Sequence, residues 1–293
     1  MATRAQWVQA ARPRTLPTAV APVLVGTGAA VGTGTVAPGR ALLALLVAVA
    51  LVVGVNYAND YSDGIRGTDD ERVGPVRLVG ARLAAPAAVR AAALAAFAVA
   101  ALAGLALVAV SGRWWLVAVG AACIVGAWFY TGGRRPYGYA GLGEVAVFVF
   151  FGPVAVLGTV LTQSGPPGAL TIVGAIGVGM LACAVLVVNN LRDIPTDLDA
   201  GKRTLAVLLG AVDTRRLYAL LVTAPLLLSV LAGLRSPALL LGLLAAPPAV
   251  VLARRVLGGA DGHGLVRVLA QTGLVLLGWS AATAVGLALS GLG

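Results

Sequence analysis

The feature that most constrains this chain is a series of apolar segments of about 18 to 22 residues that recurs along almost its whole length. A helix needs about 20 apolar residues to cross a hydrocarbon core of roughly 30 Å. Charged residues make up only 11% of the sequence, against about 25% in soluble domains. The sequence therefore predicts an all-α integral membrane protein, with residues 1–293 forming a single polytopic domain.

Nine segments have the required length, and we expect them to form a bundle of nine transmembrane helices. They cover residues 16–37, 41–58, 91–110, 114–131, 143–161, 169–190, 217–234, 237–253 and 268–290. No small-residue cleavage pattern follows the first segment, so we interpret it as a span rather than a signal peptide. The connections between spans alternate between long polar ones and short ones.

The distribution of basic residues supports this count. Eighteen of the 21 basic residues fall on the side of the N-terminus and the long connections, and only Arg40, Arg113 and Arg235 fall on the other side. By the positive-inside rule, the N-terminus and the long connections should be cytoplasmic and the C-terminus should lie outside. Orientation and contact with anionic lipids account for most of the net charge of +10, so no nucleic-acid partner is expected.

Eight of the eleven acidic residues are concentrated in two patches. Residues 56–80 contain Asp60, Asp63, Asp69, Asp70 and Glu71, and residues 189–205 contain Asp193, Asp197 and Asp199. The predicted topology places these patches at the cytoplasmic ends of the second and sixth spans. Two apolar helices should therefore bring carboxylates to the same depth on the same side of the membrane.

Helical spacing places the polar side chains of each patch on one face. In the second span, residues at offsets of three, four and seven share a face, namely Asn56, Asn59, Asp60 and Asp63. In the sixth span, Asp193 and Asp197 form an i,i+4 pair and Asn189 lies one turn earlier, although Pro195 removes a backbone donor between the two acids. The two faces together form a candidate site.

The chemistry of these residues indicates a metal–diphosphate site. Carboxylate and amide oxygens without His or Cys suit a hard ion such as Mg²⁺. The basic residues beside them suit phosphate oxygens, namely Arg66, Arg72, Arg77, Arg192, Lys202 and Arg203. Ordinary solvated loop charges are the alternative, but they would be scattered over all loops and would leave the span-end asparagines unexplained.

A third polar segment, residues 130–144, lies on the same predicted side. Tyr130 ends the fourth span, and Arg134 and Arg135 follow it. Binding of a substrate anion and simple anchoring under the positive-inside rule explain these two arginines equally well. Glu144, at the start of the fifth span, is expected either to pair with an arginine or to contact substrate.

These motifs resemble the UbiA superfamily of intramembrane prenyltransferases. Asn59-Asp60-Tyr61-Ser62-Asp63 and Asp193-x-x-x-Asp197-x-Asp199 are similar to its paired aspartate motifs, and Tyr130 with Arg134 and Arg135 is similar to its Tyr-x-x-x-basic segment. Four stretches resemble most closely the branch that uses 1,4-dihydroxy-2-naphthoate in menaquinone synthesis: residues 11–27, 59–79, 130–144 and 189–210.

One position departs from the general pattern of the superfamily. The last acid of its first motif would fall at position 67, which is Gly67 here, while Asp69 and Asp70 follow two and three residues later. The naphthoate branch resembles this later placement. The resemblance therefore leaves open whether Asp69 or Asp70 completes the metal shell.

The resemblance implies nine spans around a central cavity that opens to lipid and is capped by cytoplasmic loops. It implies Mg²⁺ ligands at Asn59, Asp60, Asp63, Asp69, Asp193 and Asp197, of which Asp60, Asp63, Asp193 and Asp197 would be catalytic. Diphosphate would be bound by Arg66, Arg72, Arg134, Arg135, Lys202 and Arg203. The pocket for the aromatic substrate would be lined by Asn56, Tyr130 and Asn189.

The reaction implied is transfer of a polyprenyl group from polyprenyl diphosphate to 1,4-dihydroxy-2-naphthoate, with loss of CO₂ and diphosphate, giving demethylmenaquinol. The expected location is the inner membrane of a bacterial cell. One alternative is an enzyme of the same superfamily with another acceptor, such as 4-hydroxybenzoate. A membrane transporter is a more distant alternative, because transporter carboxylates usually lie near the bilayer midplane on broken helices.

Overall fold

A computed structural model of the chain describes residues 2–67 and 76–291. Within these residues every regular element is helical. Ten helices follow one another: α1 Arg4–Ala10, α2 Pro17–Gly32, α3 Pro38–Gly64, α4 Pro86–Ser111, α5 Leu116–Phe129, α6 Gly143–Gln163, α7 Ala169–Asp199, α8 Leu205–Gly233, α9 Pro237–Leu257 and α10 Gly262–Ser290. Two short 3₁₀ turns, Pro13–Thr15 and Tyr137–Ala140, lie in the connections.

The predicted all-α membrane class is confirmed, and the count of nine is approximate. Within the described ranges, seven helices are long and apolar enough to cross a bilayer, namely α3, α4 and α6 to α10. The segment Arg4–Thr15 and α2 qualify together as an eighth, bent by 47°. The helix at the predicted fourth span, α5, has 14 residues. At 1.5 Å per residue it is about 21 Å long, less than a full crossing.

The two helices that carry the acidic motifs extend well beyond the predicted ends of their spans. The second span was expected to end at residue 58 and the sixth at residue 190, whereas α3 continues to Gly64 and α7 to Asp199. Pro195 lies inside α7 without ending it. Hydropathy marks where a helix leaves the apolar core, and not where its hydrogen bonds end. Both acidic motifs are therefore helical, and their i,i+4 spacing is preserved.

Proline and glycine set several helix boundaries. Pro17, Pro38 and Pro86 occupy the first positions of α2, α3 and α4, where the missing N–H has no intrahelical partner to lose. Gly112 follows α4 with a φ of 70°, the left-handed conformation that commonly ends a helix. At the start of α8, the Thr204 side chain accepts a hydrogen bond from the Val207 N–H at 3.4 Å.

Helix α7 lies at the centre of the bundle. In its apolar window 72% of the residues are buried, against about a third in most of the other spans. It packs on α2, α6, α8 and α10. At Gly177 an added Cβ would lie 2.2 Å from Cη2 of Trp279, so the missing side chain admits the indole ring of α10. Small residues thus allow close packing of helices in lipid, where there is little hydrophobic driving force for helix association.

The connections at the two ends of the bundle differ in chemistry. At one end, the N–H of Arg203 donates to the Tyr139 carbonyl at 2.9 Å, joining the loop after α7 to the loop after α5. At the other end, Arg40 donates to the carbonyls of Val110, near the end of α4, and Thr162, near the end of α6, at 2.7 and 3.1 Å. A cation is favourable at helix C-termini because of the helix dipole.

The contact between α2 and α10 gives a stability prediction. A Cβ at Gly28 would lie 2.3 Å from the backbone oxygen of Ala284, and backbone atoms cannot move aside without moving the helix. Gly28→Leu should lower the free energy of unfolding by about 1–3 kcal/mol, the usual effect of overpacking. The measurement is thermal unfolding in detergent. Gly278→Leu on α10, which meets open space, is the matched control, and equal melting temperatures for the two variants would contradict the assigned contact.

Candidate active site

Asp63, in the last turn of α3, has at least three partners from other segments among the described residues. Arg77 Nη2 lies 3.3 Å from its Oδ2, and Lys202 Nζ lies 3.5 Å from its Oδ1. The hydroxyl of Tyr139 also donates to Oδ1. All three partners come from connections outside α3, and Asp63, Arg77 and Lys202 are buried. Asp63 therefore joins three segments at one end of the bundle.

Lys202 links the two acidic motifs. Its Nζ lies 3.5 Å from Asp63 Oδ1 and 3.9 Å from Asp197 Oδ1, so α3 and α7 each present a carboxylate to one ammonium group. Asp197 also accepts a hydrogen bond from Thr204 Oγ1 at 3.5 Å. The sequence prediction that the second and sixth spans deliver acids to the same place is confirmed at this pair.

Tyr139 organises the cations around Asp63. Its ring lies 4.7 Å from Lys202 Nζ and 5.5 Å from the guanidinium carbon of Arg66, both within cation–π range. Tyr139 was not predicted as a site residue, although it lies in the third polar segment, residues 130–144. Its role depends on where the loop after α5 folds, and residue type and spacing carry no signal for that.

Asp193 has a different environment from Asp197. Arg192 donates from Nε to its Oδ1 at 2.7 Å and from Nη2 to its Oδ2 at 2.9 Å. Asn189, one turn earlier, donates to Oδ2 at 3.3 Å and accepts from the same Arg192 at 2.9 Å. This bidentate pair fixes the Asp193 carboxylate on the α7 face that also carries Asp197.

Asp60 makes the contacts of a structural residue. It is 1% exposed, and its two carboxylate oxygens accept the backbone N–H groups of Leu78 and Val79 at 2.7 and 3.1 Å. These bonds satisfy two buried donors in the turn that precedes α4. Sequence spacing placed Asp60 on the same face as Asp63 but gave no information about the turn.

Asn59 and Arg66 contact the loop after α5 rather than each other. Thr131 Oγ1 donates to Asn59 Oδ1 at 2.8 Å. The exposed Arg66 donates to the carbonyls of Thr131 and Gly133, which places its guanidinium beside that loop. These contacts attach the first acidic motif to the third polar segment, residues 130–144.

Three further predicted cations, Arg134, Arg135 and Arg203, are exposed at the same end of the bundle. Asp69, Asp70 and Arg72 lie outside the described residues. Glu144 is buried at the start of α6 and accepts a hydrogen bond from Asn190 at 3.0 Å, which is neither of the two expected contacts.

A cavity of about 530 Å³ runs between α2, α3, α4, α5, α6 and α7. Ala44 and Asn59 of α3 both line it, so it extends over about 22 Å at 1.5 Å per residue. Its walls are largely apolar. Three glycines on different helices contribute open space, because an added Cβ at Gly120 or Gly158 would meet nothing within 4 Å and one at Gly104 only Val47.

The polar end of the cavity contains all three residues predicted for the aromatic substrate, Asn56, Tyr130 and Asn189. Asp63 and Asp193 lie one helical turn beyond Asn59 and Asn189, so the acidic motifs border this end. Tyr137 also lines the cavity and donates to the Gly126 carbonyl at 2.7 Å. Burial raises the pKa of Tyr137 to about 12, so it stays a neutral donor near pH 7.

The residues present fit a hard divalent ion by donor type. Among the described residues no group of three or more His, Cys, Asp and Glu side chains is clustered closely enough to bind one metal. Mg²⁺ needs fewer protein ligands, because it typically takes one or two carboxylates and completes its shell with water and substrate phosphate. Asp63 and Asp197, which approach the same cationic atom, meet that requirement.

Comparison with known proteins identifies the family of the chain. The model of the UbiA prenyltransferase family matches residues 19–271, most of the chain. The chain belongs to the UbiA prenyltransferase family. A protein of Mycobacterium tuberculosis named 1,4-dihydroxy-2-naphthoate octaprenyltransferase is 58% identical over 98% of both chains. One of the same name from Escherichia coli is 39% identical, over 87% of this chain and 86% of the relative.

Solved structures show the same fold for this UbiA family member. A UbiA homolog from Archaeoglobus fulgidus, bound to GPP and Mg²⁺, has a TM-score of 0.66 over 96% of this chain and 99% of its own, at 14% identity. The same homolog has also been solved bound to Cd²⁺, with a TM-score of 0.61. At this identity the likeness concerns the arrangement of helices alone.

The contacts of Asp60 give a prediction that separates structure from chemistry. Asp60→Asn keeps the volume but turns one acceptor into a donor facing a backbone N–H, which should cost about 1–3 kcal/mol of stability. The melting temperature in detergent should fall, whereas Asp213→Asn, at an exposed ion pair with Arg216, should leave it nearly unchanged. If Asp60→Asn left the melting temperature unchanged but weakened the activation of the enzyme by Mg²⁺, Asp60 would be a metal ligand instead.

Proposed function

We propose that this protein transfers a polyprenyl group from polyprenyl diphosphate to 1,4-dihydroxy-2-naphthoate, with loss of CO₂ and diphosphate, to give demethylmenaquinol. Relatives with this named activity are 54% and 58% identical over almost the full length of the chain. The observation that carries the proposal is the meeting of Asp63, Asp197 and Lys202 beside the polar end of an apolar cavity. We further propose that the whole chain forms one catalytic domain.

Mg²⁺ is the proposed cofactor, and Asn59, Asp63, Asp193 and Asp197 would hold it. Asp69 is the further candidate ligand and lies in the undescribed segment. When bound, the ion neutralises the diphosphate and makes it a better leaving group. Asp60 is better understood as a positioning residue, since both its oxygens already hold the turn at Leu78 and Val79.

The diphosphate would lie against cations from three connections. Lys202 and Arg77 are buried beside Asp63, and the guanidinium carbon of Arg66 lies 5.5 Å from the centroid of the Tyr139 ring. Arg134, Arg135 and Arg203 add exposed positive charge at the same end, and Arg72 is the remaining predicted contributor. Fixed cations of this kind stabilise the charge that develops as the allylic C–O bond breaks.

The cavity suits the apolar parts of both substrates. Its polar end, with Asn56, Tyr130 and Asn189, would hold the aromatic ring, and its apolar length would receive the first part of the prenyl chain. A volume of about 530 Å³ is within the usual range for a pocket that encloses one drug-sized ligand. The apolar walls keep water away from an electron-deficient allylic carbon.

We propose a multi-pass location in the bacterial inner membrane with the site facing the cytoplasm. The relatives that are 38% or more identical to this chain are bacterial. The end that carries the acidic motifs also carries most of the positive charge. The positive-inside rule then puts the N-terminus and the long connections in the cytoplasm and the C-terminus outside. Both diphosphate and naphthoate are charged, so a cytoplasmic entrance gives them access from water.

A membrane assay tests the acceptor and the metal together. Protein in vesicles with labelled geranylgeranyl diphosphate and Mg²⁺ should convert 1,4-dihydroxy-2-naphthoate to a prenylated product with release of CO₂, and EDTA should abolish the reaction. A parallel assay offers 4-hydroxybenzoate. Product from 4-hydroxybenzoate alone would be compatible with the fold and the site but would contradict the proposed acceptor. No product from either acceptor would contradict the proposed prenyltransferase activity.

The two linked carboxylates give a second test. Asp63→Asn and Asp197→Asn keep side-chain size, and each should lower kcat/KM by about 100-fold or more, the scale for losing one preorganised charge interaction with the leaving group. Kinetics at saturating Mg²⁺ measure this, with melting temperatures to confirm folding. Asp213→Asn is the control at an exposed site. Near-normal turnover in either site variant would remove that residue from the proposed metal site.

A further inference from the structure

The end of the bundle that carries the acidic motifs holds carboxylates and cations within contact distance of one another. Arg77 and Lys202 lie 3.3 and 3.5 Å from Asp63, and Lys202 also lies 3.9 Å from Asp197. The proposed function assigns the carboxylates to Mg²⁺ and the cations to the diphosphate. A carboxylate and a cation that pair fully with each other bind a ligand less well, because the ligand must first displace the partner.

Tyr139 contacts charges of both signs. Its hydroxyl donates a hydrogen bond to Oδ1 of Asp63. Its ring lies 4.7 Å from Lys202 Nζ and 5.5 Å from the guanidinium carbon of Arg66. A phenol can do both, because its O–H donates to an anion while the face of its ring attracts cations. One neutral side chain thus holds an acid and two cations without adding a charge of its own.

The backbone around Tyr139 keeps this ring in place. Tyr139 lies in the 3₁₀ turn Tyr137–Ala140. The N–H of Gly138 donates to the Tyr130 carbonyl at 3.0 Å, and a Cβ at Gly138 would lie only 2.6 Å from that oxygen. The Tyr139 carbonyl accepts the Arg203 N–H at 2.9 Å. The turn is therefore attached both to the end of α5 and to the loop after α7, as a preorganised site requires.

Tyr139 is separate from the pocket proposed for the aromatic acceptor. Among the described residues that line the cavity, the tyrosines are Tyr130 and Tyr137. Tyr139 is half-buried and faces the charged residues at the end of the bundle instead. Its contacts therefore concern the metal and the diphosphate rather than the aromatic ring or the prenyl chain.

We propose that Tyr139 is a positioning residue with two separable roles: its hydroxyl orients Asp63 for Mg²⁺, and its ring holds Lys202 and Arg66 for the diphosphate. This inference rests on the proposed function, because it takes Mg²⁺ and a prenyl diphosphate to be the ligands of the site. A hydrogen bond from a neutral hydroxyl fixes the carboxylate and leaves its charge intact. A ring face holds the two cations and leaves their N–H donors for phosphate oxygens.

Tyr139→Phe tests the hydroxyl, because it keeps the ring. The Mg²⁺ concentration for half-maximal turnover should rise by about 10- to 100-fold, the usual effect of removing a partner of a metal ligand. KM for geranylgeranyl diphosphate at saturating Mg²⁺ should change by less than about threefold. The same weakening should appear without turnover, as a raised dissociation constant for Mn²⁺ measured by electron paramagnetic resonance. Mn²⁺ is a suitable probe because it prefers the same oxygen ligands.

Tyr139→Leu and Tyr139→Met test the ring, because both remove it and fill the space differently. At saturating Mg²⁺, KM for geranylgeranyl diphosphate should rise by about 5- to 50-fold, the scale for losing two cation–π contacts. KM for the naphthoate should change by less than about threefold. Inorganic diphosphate with Mg²⁺ should raise the melting temperature of both variants less than that of the wild-type protein, since a weaker ligand stabilises the folded state less.

Tyr57→Phe is the matched control. Tyr57 is also half-buried, lies on α3, and donates its hydroxyl to the Trp7 carbonyl at 3.0 Å. The variant loses a tyrosine hydrogen bond that does not involve Asp63. Its Mn²⁺ affinity and its KM values for both substrates should equal those of the wild-type protein.

Several results would overturn the inference while leaving the proposed reaction intact. Wild-type Mn²⁺ affinity in Tyr139→Phe would contradict the role of the hydroxyl, and unchanged diphosphate binding in both ring-free variants would contradict the role of the ring. An acceptor KM that rises as much as the diphosphate KM, or a failure of both ring-free variants to fold, would make Tyr139 a residue of the fold alone.

Failure of the proposed function would be visible separately. If the wild-type protein converts no naphthoate, the proposed acceptor is wrong. The Mn²⁺ affinity of Tyr139→Phe and the effect of inorganic diphosphate on the melting temperatures of Tyr139→Leu and Tyr139→Met would still decide whether Tyr139 serves the metal and the diphosphate, because neither measurement needs turnover.

Discussion

The contact on which the site depends is the ammonium group of Lys202 between Asp63 and Asp197. Each carboxylate comes from the end of a long, largely apolar helix. Buried like charges would repel each other and resist ionisation, so a shared cation lowers the cost of bringing α3 and α7 together. Tyr139 and Arg77 then add contacts from two more connections, and the end of the bundle becomes one connected polar network.

The fold was largely predictable because hydropathy records the membrane directly. Segments of suitable length located the helices, and the parity of the spans predicted that the acidic ends of α3 and α7 would meet, as Asp63 and Asp197 do. Hydropathy was misleading where an apolar segment is longer than the helix that it contains. It gave the fourth span 114–131, whereas α5 is only Leu116–Phe129, since the neighbouring apolar residues Trp114 and Trp115 satisfy a hydropathy count without being helical.

Individual roles at the site were harder to predict than its location. Asp60 and Asp63 share a helical face and a residue type, yet one binds the backbone of a turn and the other binds side-chain cations. What separates them is the position of the turn at Leu78 and Val79 beside Asp60, which residue spacing does not encode.

The short helix α5 also affects the lipid around the protein. Within α5 no residue is buried, and the exposed Trp114 and Trp115 just before it are side chains that favour the headgroup level. A helix about 9 Å shorter than the hydrocarbon core favours local thinning of the bilayer or movement of flanking residues to the interface. Because α5 forms one wall of the cavity, the thickness of the surrounding bilayer affects how a long-chain amphiphile can approach the cavity past this helix.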